Sequence, residues 1–150
     1  MKRRIESIFE LSIPGVRAHK VDPGSYYRES NFQVCFFPVN IMGMTKADWI
    51  HMERREPVFD RLETHQASEC AFFCTGEAIM PFATMRDGKL DVESICLARI
   101  PAGTQVEIDA GVPHYIAVAA TDTDVNVVFV HPEIDAPRIF LDEAVEGVEA

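Results

Sequence analysis

The chain has 150 residues, enough for one domain that buries roughly 70% of the surface its unfolded form exposes, so neither a disulfide nor a metal is required for folding. Its 47% hydrophobic and 25% charged residues are the balance of a packed globular protein and exclude the disordered and low-complexity classes. With 24 acidic against 14 basic residues and a formal net charge of -10, the surface repels phosphate backbones and anionic membranes, so no nucleic acid and no membrane is expected as a partner.

In chain order, Ile5, Ile8, Phe9 and Leu11 fall at helical spacing and predict a short amphipathic N-terminal helix, ended by Pro14 and Gly15. The basic opening Lys2, Arg3, Arg4 is not an export signal, because Glu6 and Glu10 interrupt the apolar run that follows. No stretch approaches the ~18 apolar residues of a membrane span, and the expected location is cytoplasmic.

Beyond Gly15 the punctuation is that of β-structure: Asp22-Pro23-Gly24, Pro38, Met42-Gly43, Pro57, Gly76, Asp87-Gly88, Pro101-Ala102-Gly103 and Asp109-Ala110-Gly111. Between the breaks lie short apolar runs, Phe32 to Phe37, Ala71 to Cys74, Ala78 to Met85, Ser94 to Ile100, Tyr115 to Ala120 and Val125 to Val130. Such runs predict strands of a sandwich or barrel. The sharpest local signal is Arg86-Asp87-Gly88-Lys89, whose Asp-Gly pair supplies the positive φ angles of a type I′ hairpin. The acidic tail after Pro137 reads as a peripheral strand or arm fraying into solvent. With no linker or repeat, residues 1–150 form one domain whose barrel core is expected at about 30–132.

Cys35, Cys70, Cys74 and Cys96 lack the spacing of a zinc ribbon and read as buried thiols. Two other segments carry the chemistry: Glu63-Thr64-His65-Gln66-Ala67-Ser68-Glu69 followed by Gly76, and Gly103 to Asp109 followed by Gly111 and His114. On strands, Glu63, His65 and Glu69 share parity and face one side if the turn at Gln66 to Ser68 keeps the register. Imidazoles and carboxylates brought together from separate segments are what a transition-metal site requires.

These segments resemble the paired motifs of the cupin superfamily. The first motif runs from His or Glu through a His and a Glu to a Gly, matched by Glu63, His65, Glu69 and Gly76; the second is matched by Gly103, Gly111 and His114, with Asp109 at the usual proline. The resemblance implies an all-β fold, a single cupin-type double-stranded β-helix or jelly-roll barrel. It also implies a divalent transition metal, Mn, Fe, Ni or Zn, held by Glu63, His65, Glu69 and His114.

Within that superfamily the chain is most similar to the ureidoglycolate lyase (ureidoglycolate hydrolase) family, through Glu63-Thr64-His65, Ala71-Phe72 and Gly76-Glu77. It departs from the family at Cys70, usually glutamine, and in lacking a tryptophan just before His114. The likeness implies cleavage of ureidoglycolate to glyoxylate and urea, a step of allantoin degradation in purine catabolism. His65, Glu63 or His114 would act as catalytic base. Two other readings stand beside it: a cupin that binds a small ligand without turnover, and a metal-dependent dioxygenase or isomerase acting on another small acid.

Arg99, Gln105 and Tyr115 are the expected contacts to a substrate carboxylate, because polar forks near the motifs suit a small anion. Alternation sets Gln105 and Glu107 on one strand face and the apolar Val106 and Ile108 on the other, which is expected to pack inward while the polar set faces solvent. His19, His51 and His131 lack partners at ligand spacing and read as structural. A carboxylate buried at Glu63 or Glu69 needs a cation or a proton. The apolar edge from Phe32 to Phe37 predicts a homodimer, since an open edge invites pairing.

Overall fold

The computed structural model describes residues 1–22, 25–37 and 39–149, so the predicted turn at Pro23-Gly24 and the break at Pro38 lie outside the described residues. In chain order the strands are β1 (Lys2–Ser7), β2 (Val16–Lys20), β3 (Tyr27–Arg28), β4 (Gln33–Val34), β5 (Thr45–Met52), β6 (Val58–Glu63) and β7 (Glu69–Thr75). They continue with β8 (Glu77–Arg86), β9 (Lys89–Pro101), β10 (Thr104–Ile108), β11 (Val118–Ala119), β12 (Val125–Pro132) and β13 (Arg138–Val148). Among the described residues no helix forms, and hence none long enough to cross a membrane.

Two sheets carry the fold. One is antiparallel in the order β2-β10-β7-β12-β5; the other has the order β11-β8-β9-β1-β13-β6. The second curls until its ends meet: Glu63 at the end of β6 and His114 exchange backbone hydrogen bonds of 2.7 and 3.0 Å, while Ala83 of β8 donates to Pro113 at 2.9 Å. Ile5, Phe59, Leu62, Ile79, Leu97 and Val145 form one core on this sheet. Its other face, through Met80, Phe82, Ala98 and Ile100, packs on Ala71, Phe73, Val106, Val127 and Phe129 of the five-stranded sheet. Strand β8 is thus buried on both faces, which is why its sequence is a continuous apolar run rather than an alternation.

The hairpin between β8 and β9 forms as predicted, with Asp87 at φ 52° and Gly88 at φ 74°, the two positive angles of a type I′ turn. The expected N-terminal helix does not form. Residues 2–7 are instead β1, parallel to β9 (Ile5 beside Leu97) and to β13 (Lys2 beside Glu146). Ile5 is buried while Lys2, Arg4 and Glu6 point outward, a period of two that this short segment shares with a helix only through Ile5 and Ile8. The acidic tail does not fray either, since β13 pairs with β1 on one side and β6 on the other and buries Val145. The expected strand from Phe32 to Phe37 is reduced to the two residues of β4, paired with β3, and leaves Phe36 exposed.

Candidate functional site

Glu63, His65, Glu69 and His114 meet in one cavity of about 220 Å³. They do not converge by parity along a strand, as their spacing suggested. The chain leaves the curled sheet at Glu63, turns through His65, and enters the five-stranded sheet at Glu69, so the two carboxylates approach from opposite sheets. His114 arrives from the segment that closes the curl. Gly111 N–H donates 2.8 Å to the His65 carbonyl and ties the two motif loops together.

Both imidazoles are oriented by backbone. Nδ1 of His65 lies 3.0 Å from the carbonyl oxygen of Asp135, and Nδ1 of His114 lies 2.8 Å from that of Val112. A carbonyl accepts only, so each Nδ1 carries a proton, and in the neutral ring each Nε2 offers its lone pair to the cavity. His65 Nε2 lies 3.8 Å from both Glu63 Oε1 and Glu69 Oε2, and His114 Nε2 lies 2.7 Å from Glu69 Oε1. That last contact is short but not aligned as a hydrogen bond, and Glu69 Oε1 is buried with no hydrogen-bond partner among the described residues.

Burial by itself would raise the Glu69 carboxyl, but His114 beside it, with His65 and His131 further away, outweighs burial and holds it below the usual carboxylate range. For His114, burial opposes the charged form and the Glu69 carboxylate overrides it, so the imidazole sits above its ordinary value. Without a metal, each of the two groups therefore favours the charged form of the other across the buried 2.7 Å contact.

This donor set fits a divalent ion. Ligand atoms of Glu63, His65 and His114 all lie within 4.8 Å of one another, and bonds of about 2.0–2.2 Å set neighbouring ligand atoms roughly 3–3.5 Å apart, so shifts of about an ångström suffice. The orphaned Glu69 oxygen is a fourth ligand in waiting, and hydrogen bonding of each Nδ1 to a carbonyl is the outer arrangement that metal-binding histidines need.

Above the ligands the walls are apolar, with Ile50, Met80, Ile116, Phe129 and Ile134, and the rim carries Asp48 and His131. No lysine or arginine among the described residues lines the cavity. The residues expected to hold a carboxylate lie elsewhere. Arg99 is engaged by Glu77 and by Glu149, the latter at 2.6 and 2.7 Å. Tyr115 packs against the core of the curled sheet.

Gln105 faces away from the cavity, while Val106 and Ile108 point inward as expected. Yet Gln105 and Glu107 do not face solvent: both are buried, Gln105 Nε2 3.0 Å from Cys70 Sγ and Glu107 3.0 Å from Arg17 Nε. Of the four thiols expected to be buried, Cys70 is, Cys35 and Cys96 are partly buried, and Cys74 is exposed. Asp109, at the usual proline, takes both terminal nitrogens of Arg17 at 3.0 and 2.7 Å and so pins β2 to the second motif.

His131, read as structural, also lines the cavity, a placement the sequence reading did not anticipate. The signal was alternation along β12: Val125, Val127 and Phe129 are inward, so His131 is too, while the polar Asn126 marks the outer face. Its Nε2 lies 2.9 Å from Asp48 Oδ2 and its Nδ1 2.6 Å from the Pro132 carbonyl oxygen. Burial disfavours its charged form, but those two oxygens prevail and raise it above its ordinary value.

No family model matches the chain, and no curated protein does. Among solved structures it is similar to oxalate decarboxylase of Bacillus subtilis. A structure of that enzyme at pH 4.6 shares 15% identity at a TM-score of 0.47 over 65% of this chain and 23% of the other. Another, of a single-residue mutant of that enzyme, shares 15% at 0.46 over 65% and 24%. The chain thus spans about a quarter of the length of those proteins. Likeness at this level carries no argument about chemistry, which rests on the side chains themselves.

Proposed function

We propose that this chain is a metal-dependent enzyme of the cupin type acting on a small acid, with ureidoglycolate as the substrate its motifs favour. The observation that carries the reading is the pair of histidines whose Nδ1 atoms are occupied by backbone carbonyls, leaving two Nε2 lone pairs and two carboxylates aimed at one point. A divalent ion bound there supplies Lewis acidity toward a substrate oxygen. Of the four candidate ligands, His65, Glu69 and His114 would hold it, leaving Glu63 free to act as base. Glu63, the more exposed carboxylate at 13% against 5% for Glu69, accepts the hydroxyl proton of ureidoglycolate. The freed electron pair forms the carbonyl of glyoxylate as the carbon-nitrogen bond breaks, and the departing nitrogen takes a proton to give urea.

The apolar walls favour a second reading on the same ligands, a dioxygenase or isomerase whose substrate has a hydrocarbon portion to place against Ile50, Ile116 and Phe129. One experiment separates the two. Protein incubated in turn with Mn, Fe, Ni and Zn should retain about one ion per chain by elemental analysis, and His65→Ala or His114→Ala should abolish it. The ion-loaded protein should then release glyoxylate from ureidoglycolate, with at least ~100-fold loss in His65→Ala. Retained metal without glyoxylate removes the lyase and leaves the second reading; no retained ion and no turnover leaves a binding module.

A further inference from the structure

Strand β5 is the outermost strand of the five-stranded sheet, and among the described residues only β12 pairs with it along its length. Its ladder to β12 runs without a bulge from Thr45 to Met52, and the strand contains no proline. Every residue from Met42 to Trp49 is exposed, Met42 at 85%, Met44 at 93% and Trp49 at 65%. A long, regular edge with exposed apolar side chains is a template for another strand. The opposite edge, β2, is shorter, and its ionisable side chains Arg17, His19 and Lys20 are all basic, so it does not suit a second β2.

β5 carries one charge of each sign, Lys46 and Asp48, two residues apart and therefore on one face. That face is the inward one, since Lys46 stands opposite His131 and Asp48 opposite Phe129. A two-fold axis perpendicular to the sheet sets β5 antiparallel to its own copy with both inner faces on one side. The residue on the axis then decides which side chains meet. With the axis at Asp48 two carboxylates face each other, and at Lys46 two ammonium groups do. At Thr45 or Trp49 both charges face apolar side chains. Only at Ala47 does Lys46 of each copy face Asp48 of the other. In that register Trp49 lies diagonal to the partner subunit's Ala47 on the outer face. Met44, one residue before the strand, comes opposite the partner subunit's Ile50.

We propose that β5 pairs antiparallel with β5 of a second copy about an axis at Ala47, joining the two five-stranded sheets into one. Each cavity mouth then receives the partner subunit's Lys46 beside Asp48. Lys46 and Asp48 are 54% and 57% exposed, so both reach across the edge. No lysine or arginine among the described residues lines the cavity, and the second copy supplies a cation at its entrance. The benefit to an acidic ligand rests on the function proposed above; the pairing itself needs neither metal nor ligand.

Analytical ultracentrifugation of the full chain at about 1–100 µM tests the pairing. Wild type should dimerise. Lys46→Asp and Asp48→Lys, each at a position more than half exposed, should raise the dimer dissociation constant at least about tenfold, because two attractive pairs become two repulsive ones. The double variant Lys46→Asp/Asp48→Lys restores opposite charges across the axis and should return to within about threefold of wild type, a rescue that a folding defect would not give. Register has its own readout in a Cys74→Ser background, which removes the exposed thiol. Ala47→Cys should form an intermolecular disulfide under mild oxidation, since opposed Cα atoms stand about 4.5–5.5 Å apart, and Thr45→Cys should not. A wild-type monomer across the range, a dimer that the single reversals leave unchanged, or a double variant no tighter than the singles overturns the proposal. If a reversal unfolds the chain, the disulfides decide, and cross-linking at position 45 in place of 47 overturns the register. None of these results depends on a bound ion, so they stand apart from the fate of the metal centre.

Discussion

Replacing Glu69 by Gln tests the electrostatic description of the site most directly, because it removes one charge and almost no volume. In the metal-free protein Glu69 is held below its ordinary value of 4.5 and His114 above its ordinary 6.5. The lowered carboxyl contributes stability above about pH 4.5 and loses it as pH falls through the folded value. The raised imidazole contributes stability below about pH 6.5 and loses it as pH rises through the folded value. Their contributions overlap most fully near pH 5.5.

Breaking a buried pair by removing one partner costs about 3–5 kcal/mol, and the misaligned contact between Glu69 and His114 places this pair at about 3. For a chain of this length that corresponds to a fall in Tm of roughly 6–12 °C. As pH rises through the folded value of His114 the balance reverses, since the imidazole loses its proton and Glu69 is left as a buried carboxylate with a diminished counter-charge. Gln is there neutral or stabilising. Urea unfolding of both proteins in a chelator, at pH 5.5 and 8.5, measures the difference. An equal loss at the two pH values would refute the ion-pair description.

Gly76→Ala should cost about 2–4 kcal/mol in urea unfolding, because Gly76 adopts φ +69° and an added Cβ would sit 2.7 Å from the Asp124 carbonyl and 3.0 Å from that of Thr123, backbone atoms that yield little; a loss under about 1 kcal/mol would show that this turn relaxes. A thiol reagent at about pH 8 should label Cys74 in the native protein, whereas Cys70 and Cys96, pushed up by burial to about 11, should react only after unfolding; native labelling of Cys70 would mean that the segment covering β7 opens. Light scattering at tens of micromolar should report a homodimer, because Tyr26, Phe36, Met42, Met44 and Trp49 are between 65% and 93% exposed and need cover; a strict monomer would contradict this.

What the sequence disclosed and what it withheld follow the range of the interactions concerned. Asp87-Gly88 was legible because a two-residue turn depends only on its own φ angles, and β7, β8, β9 and β12 were legible because buried strands must be apolar. Strand β1 was not, since its partners are Leu97 and Glu146, and the i, i+3 spacing of Ile5 and Ile8 imitates one helical face although Ile8 lies just beyond β1 and packs in the other core. The four cluster residues were found by motif spacing, but their convergence was ascribed to strand parity when it comes from a change of sheet between Glu63 and Glu69. Arg99 was placed by chemical type alone. It follows Ala98 and precedes Ile100, both of which face the other sheet, so alternation turns it toward Glu77 and Glu149 instead. The same rule, applied to β12, would have turned His131 inward.

His114 shows why a site in so short a chain can be rigid without a large supporting shell. Its backbone N–H and carbonyl both pair with Glu63, and its neighbour Pro113 accepts from Ala83, so this residue is the seam that closes the curled sheet. Its side chain, fixed from below by the Val112 carbonyl, is the most buried of the two imidazoles. Closure of the sheet and placement of a ligand are therefore one geometric event. Glu63 is set by the other half of the same seam, and His65 is tied to it through Gly111. The directions of the two imidazoles are determined by main-chain carbonyls that hold each Nδ1, which is the pre-organisation that a site of fixed geometry requires. Glu69, by contrast, is the residue whose buried oxygen lacks a hydrogen bond among the described residues.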